Sequence, residues 1–438
     1  MTTPLAIVYR QWSLAKGWTS PVEIIQLPPG FGDAQVHGAF LDKAGTMHMV
    51  FWGGDPVTAY IFYSSAPVSN IDSASAWSLP VLLGGDAFYP SSAAIAGDDQ
   101  GNIFIIYNGK RDPNSIYAVH SSDSGKTWSS PTPIFLSYDF QLVPLALQLY
   151  MTSSGHLFAV WNVVTYVGLD VALYYADYDS TSAQWNEPVL LDKRIEDESY
   201  FGPSFPSITG NDGKTVILYN TGNFAPNGFV DLGRPIEMVR MTYDDGQTWS
   251  DFVVPFPQHL GRSGEHTLAV DSAGVIHAVF IMRIDDFTPE GQYAPVLGMW
   301  HSELRGDAWS NPERYVPNVQ PHDVRSVVAQ GNILLLLWRQ DPGGGQSGIW
   351  YTYLTLDAPE LPKVALPVED GSNDSSIVPT STPASNPIPI YTNTPADFGN
   401  IGPRIFSNPA TPLFFGVILT ILLFAGIIIV VYRSSRSK

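Results

Sequence analysis

Residues 96–108 read AGDDQGNIFIIYN: a polar turn closing on Gly101, then a run of β-formers ending in an aromatic residue and Asn. The pattern returns in LDKAGTMHMVFW (41–52), MTSSGHLFAVWN (151–162), TGNDGKTVILYN (209–220), VDSAGVIHAVFI (270–281) and VVAQGNILLLLW (327–338). The turn glycines Gly45, Gly101, Gly155, Gly213, Gly274 and Gly331 are separated by 56, 54, 58, 61 and 57 residues. Glycine accepts positive φ and apolar alternation flanks it, so each stretch reads as a β-hairpin. A second marker recurs out of phase: Trp18, Trp77, Trp128, Trp185, Trp249 and Trp309 each follow a polar turn. Five of them lead into a Pro-containing strand start (WTSPVEI, WSLPVLL, WSSPTPI, WNEPVLL and WSNPERY). Two hairpins per period give four strands, here a to d, and six such units predict an all-β, six-bladed β-propeller of four-stranded antiparallel blades.

Composition agrees. Of 438 residues 45% are apolar and 14% charged, which places most of the chain among core-forming rather than disordered sequences. Thirty-eight Gly and 36 Pro suit many short strands joined by tight turns. With no Cys there is no disulfide scaffold, thiolate metal site or thiol nucleophile. The net charge is −19, and up to residue 356 there are 17 Lys and Arg against 35 acids. Such a surface repels phosphate backbones, so a nucleic-acid partner is excluded.

The propeller is expected to end near residue 356. Residues 357–411 are dense in Pro, Ser, Thr and Asn and have no hydrophobic period, which predicts a disordered, extended linker. Leu413–Tyr432 is a run of twenty residues without charge, the length an α-helix needs to cross a bilayer. A single transmembrane helix over 412–432 follows, with a basic tail at 433–438 (Arg433, Arg436, Lys438) on the cytoplasmic side and the propeller outside the cell. The opening residues MTTPLAIVYRQW have no secretory signal, so either the natural start lies upstream or the protein is tail-anchored. The first is preferred, because the repeat register begins part-way through a unit. The last unit has only three strands of its own, and the strand after Trp18 is expected to complete it and close the ring.

Ser121-Ser122-Asp123-Ser124-Gly125-Lys126-Thr127-Trp128 and Thr242-Tyr243-Asp244-Asp245-Gly246-Gln247-Thr248-Trp249 fit the pattern Ser/Thr-x-Asp-x-Gly-x-Thr-Trp. A third copy keeps Ser302, Gly306 and Trp309 but has Leu304 at the Asp position. In these two full copies the chain resembles the sialidase (neuraminidase) superfamily, whose Asp-box (BNR-repeat) propellers carry this turn. The resemblance implies that the box residues are structural, on c–d turns facing away from the active site. The functional face would then be built from two sets of loops. The d–a loops are 26–37, 83–91, 136–144, 192–206, 255–266 and 315–325; the b–c loops are 52–59, 107–116, 162–171, 220–236, 281–297 and 339–348.

Titratable residues gather in those loops. His37, His266 and His322 stand at comparable sequence positions before three innermost strands, beside Arg262, Glu265, Asp323 and Arg325. The b–c loops add Arg111 with Asp112, Arg283 with Asp285 and Asp286, and Arg339 with Asp341. The Arg–Asp neighbours read first as loop-ordering contacts. Sialidase chemistry needs three arginines that fork onto a carboxylate, a Tyr with a Glu partner, and an Asp acid. The resemblance therefore implies arginines drawn from Arg111, Arg262, Arg283, Arg325 and Arg339, with Glu265 as the carboxylate partner. The acid would be Asp33, Asp55 or Asp86. Substrate contacts would come from His37, His266, His322, Asp86 and Tyr89. The family's Phe/Tyr-Arg-Ile-Pro segment is absent, which leaves enzyme status open. No cofactor is expected and no metal, since the three histidines fall on three separate blades. The expected partner is a glycan with a terminal acidic sugar such as sialic acid, bound and in one reading hydrolysed. The alternative is a non-catalytic scaffold for carbohydrate or protein recognition.

Overall fold

A computed structural model describes residues 5–362 except 28–29, 56, 86, 88–91, 110–113, 138, 140, 196–201, 212, 223–235, 258–261, 285–287, 293–295, 318–320 and 341–347. The linker, the 412–432 span and the basic tail lie outside the described residues, among which no helix is long and apolar enough to cross a membrane.

The protein is a six-bladed β-propeller with almost no helix. Blade one pairs Asp33–Leu41, Thr46–Gly54, Ala59–Pro67 and Val81–Gly84 in chain order, every pair antiparallel. Blade two repeats this with Ala93–Gly97, Ile103–Gly109, Asn114–Ser121 and Thr132–Ser137. The innermost strands of blades three to six are Leu142–Met151, Ser204–Asn211, Arg262–Val270 and His322–Ala329. In blade four the outermost position is reduced to a single bridge between Val239 and Val253.

The glycine-bounded runs are the second strands, and they are mostly apolar because neighbours cover both their faces. Every residue of Ile103–Gly109 is buried. Separate apolar cores lie between successive blades. Tyr63 and Ile105 belong to the first of these, Trp161 and Ile106 to the next, and Phe280 and Val216 to that between blades four and five.

The N-terminal residues depart from expectation. Val22–Gln26 pairs with Ala6–Tyr9, not with the last blade, whose outer strand Gly348–Thr355 has no further strand beside it among the described residues. The hairpin packs Ile7, Ile24 and Ile25 against Phe51 of blade one. Its other side meets blade six through ring contacts, Trp12 on Tyr353 at 5.4 Å and Trp18 on Tyr351 at 5.5 Å. The two ends of the chain therefore meet by apolar and aromatic contact rather than by a shared sheet. Residues 6–9 supply the partner strand.

The two full Asp-Gly-Thr-Trp turns have the same geometry. Asp123 accepts hydrogen bonds from Ser121 Oγ at 2.8 Å, Thr127 N at 2.9 Å and Thr127 Oγ1 at 2.6 Å. Those donors hold its carboxyl down at about 2. Asp244 accepts the equivalent three from Thr242 and Thr248 and is shifted the same way. Trp128 packs edge-on against Tyr63 of the preceding blade, and Trp249 against Tyr175. The turn thus ties one blade to the next.

Gly125 is needed twice over: its φ is +83°, and a Cβ there would lie 2.1 Å from Tyr63 Oη. Gly155 has a similar φ of +85° but open space around it. Gly125→Ala is therefore expected to destabilise the fold by about 3 kcal/mol, through backbone strain and overpacking together. Gly155→Ala should cost only the backbone part, about 1 kcal/mol. Denaturant unfolding of the two variants checks the difference, and equal losses would contradict the inter-blade role of this turn.

Candidate functional site

An irregularity recurs where the innermost strands reach the face of the d–a and b–c loops. The register shifts between Val36 and Gly38, Leu145 and Gln148, Ser204 and Ser207, Ser263 and His266, and His322 and Arg325. Bulges re-aim side chains, and these fall at one level in five of the six blades. Three carry a non-glycine residue at positive φ: Ala146 at 51°, Phe205 at 50° and Asp323 at 54°. The strain is held by contacts between blades. Asn108 Nδ2 donates to Pro144 O at 3.1 Å and Asn220 Nδ2 to Gly264 O at 2.6 Å, each reaching the next inner strand.

Blades five and six bring four of the titratable candidates together. Glu265 lies in the blade-five bulge, and its Oε2 accepts a hydrogen bond from Val324 N at 3.2 Å. Desolvation raises its pKa, and the nearby Asp323 raises it further. The Val324 amide and the Arg325 guanidinium oppose this. Arg325 is exposed and donates through Nη1 to Val324 O at 2.8 Å. Arg339 Nη1 is 2.9 Å from Asp323 Oδ2, both side chains about half exposed. Arg339 had been expected to pair with Asp341, which lies outside the described residues. Among the described residues the ion-pair partner of Arg339 is Asp323, which lies in the blade-six bulge. A carboxyl whose pKa desolvation raises thus lies near the Arg325 guanidinium and the Arg339–Asp323 pair, and guanidinium groups can hold an anion.

The three histidines are not equivalent. His37 lies within its bulge, His266 just inside and His322 just outside, opposite Arg339. Counting residues along the sequence could not show this, because bulges insert residues without shifting the apolar pattern. His266 is 5% exposed, its Nε2 2.9 Å from Leu218 O, and burial lowers its pKa to about 4. It ties the inner strand of blade five to the second strand of blade four. Arg262 and Arg283 face each other as register partners in blade five, though their side chains fall outside the described residues. Arg111, Asp86 and Tyr89 lie outside them altogether. Asp33 and Asp55 spend a carboxylate oxygen on local backbone amides, Ala34 N for one and Val57 N and Thr58 N for the other.

Two acids of this face were not anticipated. Asp170 opens the third strand of blade three, accepts a hydrogen bond from Asn162 Nδ2 at 2.7 Å, and is raised by desolvation to about 7. The chain entering blade four passes close by, since a Cβ at Gly202 would clash with the Asp170 backbone carbonyl. Glu237 opens the third strand of blade four opposite Asn220 and is 2% exposed. The available signal was the Asn that follows the aromatic residue in the repeats of blades two, three and four. A cleft of about 890 Å³ also opens between the outer strands of blades two and three, lined in part by Phe135, Tyr174, Tyr178 and Trp185. It lies on the third and fourth strands of those blades, and neither acid lines it.

No protein-family model matches the chain, and no curated protein does. Among solved structures it is similar to a lectin from Burkholderia pseudomallei (12% identity, TM-score 0.51, covering 79% of this chain and 88% of the lectin). It is also similar to an ulvan lyase, a polysaccharide lyase (15%, TM-score 0.45, covering 72% and 82%). A third is a Hadza microbial sialidase (12%, TM-score 0.41, covering 74% and 66%). These likenesses are of fold alone.

The Asp170 carboxyl, ordinarily near 3.8, keeps its proton to about 7 in the folded state. Between those values the unfolded chain has lost a proton that the folded one retains, so stability falls as pH rises through the window and levels off above it. Asp170→Asn preserves an acceptor for Asn162 and is expected to stabilise the protein at pH 8 by on the order of 2 kcal/mol, with no gain at pH 4. Thermal unfolding at the two pH values measures this. An equal effect at both would show that the carboxyl is not the titrating group.

Proposed function

We propose that this protein is a membrane-anchored glycan-binding propeller that takes an acidic sugar on the rim of blades five and six. The observation that carries the reading is the Glu265 carboxyl, raised in pKa and bonded to Val324 N, with Arg325 and the Arg339–Asp323 pair beside it. Guanidinium groups suit the carboxylate of a sugar such as sialic acid, and Glu265 can hydrogen-bond a neighbouring hydroxyl. The described neighbours include a lectin, a lyase and a sialidase, so the fold accommodates both binding and cleavage of glycans. Hydrolysis is the second reading. It is favoured by Asp170, whose pKa of about 7 suits a general acid at neutral pH. The uncharged run Leu413–Tyr432, joined through the Pro-rich linker, would hold the propeller at the cell surface.

Sialylated and desialylated forms of one glycan, with recovery of the ligand afterwards, separate the readings. Preference for the sialylated form with intact ligand supports recognition, whereas released sugar supports hydrolysis. Arg325→Ala should weaken binding about tenfold, the size of one charge-assisted hydrogen bond. Glu265→Gln should flatten the pH dependence of binding. Equal binding of both glycan forms would remove the acidic sugar as ligand. For the anchor, alkaline extraction of membranes should leave the full-length chain in the pellet and release a chain ending at residue 411.

A further inference from the structure

Blade five contains, at the end carrying the a–b and c–d turns, a cluster that the proposed glycan site does not use. His277 is fully buried and His301 is 9% exposed, with His277 Nδ1 3.0 Å from His301 Nε2. Glu303 Oε1 stands 3.9 Å from the same Nδ1, and its side chain is 25% exposed. Asp271 lies behind them. Its Oδ1 accepts the backbone amides of Ala273 and Val275, and its Oδ2 is 3.2 Å from His277 Nε2.

Blade one provides an internal control. There Asp42 Oδ2 lies 3.1 Å from His48 Nε2, as Asp271 does from His277. The register partners also correspond. His48 faces Ser65 and Val50 faces Tyr63, while His277 faces Glu303 and Val279 faces His301. His48 Nδ1 meets the Tyr63 hydroxyl at 2.7 Å. Blade five thus keeps the Asp–His framework and replaces both hydroxyl residues around it, tyrosine by histidine and serine by glutamate. Each replacement puts a metal-binding atom where blade one has a hydroxyl.

We propose that His277 Nδ1, His301 Nε2 and Glu303 Oε1 form a site for a divalent transition-metal ion such as zinc. These three atoms lie within 4.8 Å of one another, and two imidazoles with one carboxylate are a ligand set that zinc accepts. Metal–ligand bonds of about 2.0–2.1 Å at tetrahedral angles place ligand atoms about 3.4 Å apart, between the 3.0 and 3.9 Å found here. Asp271 supplies the outer contact that such histidines require. By accepting a hydrogen bond from Nε2–H it leaves the lone pair of His277 on Nδ1, the atom that faces His301 Nε2. Arg305 Nε holds the other oxygen of Glu303 at 2.9 Å, leaving Oε1 for the ion. The partly exposed Glu303 gives the ion an entry path, and water completes the fourth position. The ion would clamp the second and third strands of the blade together.

Zinc titration of the full-length protein, followed by calorimetry and thermal unfolding, tests the site. The expected result is one ion per chain and a melting temperature raised by several degrees in zinc. His301→Tyr rebuilds the blade-one arrangement and should fold, yet bind zinc at least 100-fold more weakly and lose the thermal shift. Glu303→Ser should weaken binding about tenfold or more, and His48→Gln should leave it unchanged. Absence of zinc binding by the parent protein, or an undiminished shift in His301→Tyr, would overturn the proposal.

Discussion

A β-sheet has two faces, and in this protein each blade relies on its neighbours to cover them. The second strands show this most plainly. Thr46–Gly54, Ile103–Gly109, Leu157–Thr165 and Lys214–Thr221 run almost wholly buried, so none could exist as an isolated four-stranded sheet in water. Radial stacking is the arrangement that satisfies all six blades together. The polar turns serve the same end, since Trp128 reaches Tyr63 and Trp249 reaches Tyr175 across blade boundaries. The ring then has to be held where the chain ends meet, and there the rings of Trp12, Trp18, Tyr351 and Tyr353 carry the contact.

That stacking leaves the innermost strands crowded at one end, and the bulges follow. An extra residue in an inner strand turns the backbone away from the ladder and frees amides and carbonyls for the neighbouring blade. Glu265 uses one such amide, Val324 N, and Asn220 uses one such carbonyl, Gly264 O. Framework and candidate site are thus built from the same irregularity. The buried asparagines satisfy backbone groups that would otherwise lose hydrogen bonds on leaving water.

The blade count, the Gly-closed hairpins and the Asp-Gly-Thr-Trp turns were legible in the sequence because each depends on local chemistry that recurs at fixed spacing. Gly101 and Gly155, for instance, are left-handed at 91° and 85°, as their turns demand. The comparison of His37, His266 and His322 failed for the opposite reason. Their equivalence depended on register, and two-residue bulges between Ser263 and His266 and between His322 and Arg325 shifted it. Ring closure was misread similarly, since the sequence shows that Val22–Gln26 is a strand but not which strand it joins. Asp170 was invisible because nothing in its neighbours reveals burial. The chain that passes close to it at Gly202 is more than thirty residues away in sequence.

Residue type alone therefore says little about an acid in this fold. Asp123 and Asp170 are chemically identical, yet one is held at about 2 by donors of its own turn and the other rises to about 7 through lost hydration. Three hydrogen bonds to the ionised form and one from Asn162 mark the two extremes. The separation has a functional consequence. The turns that join the blades keep their charge throughout the neutral range, while Asp170 on the opposite face changes its charge within it. A rim of this kind can exchange protons with a ligand, or with solvent, without loosening the hydrogen bonds that hold one blade against the next.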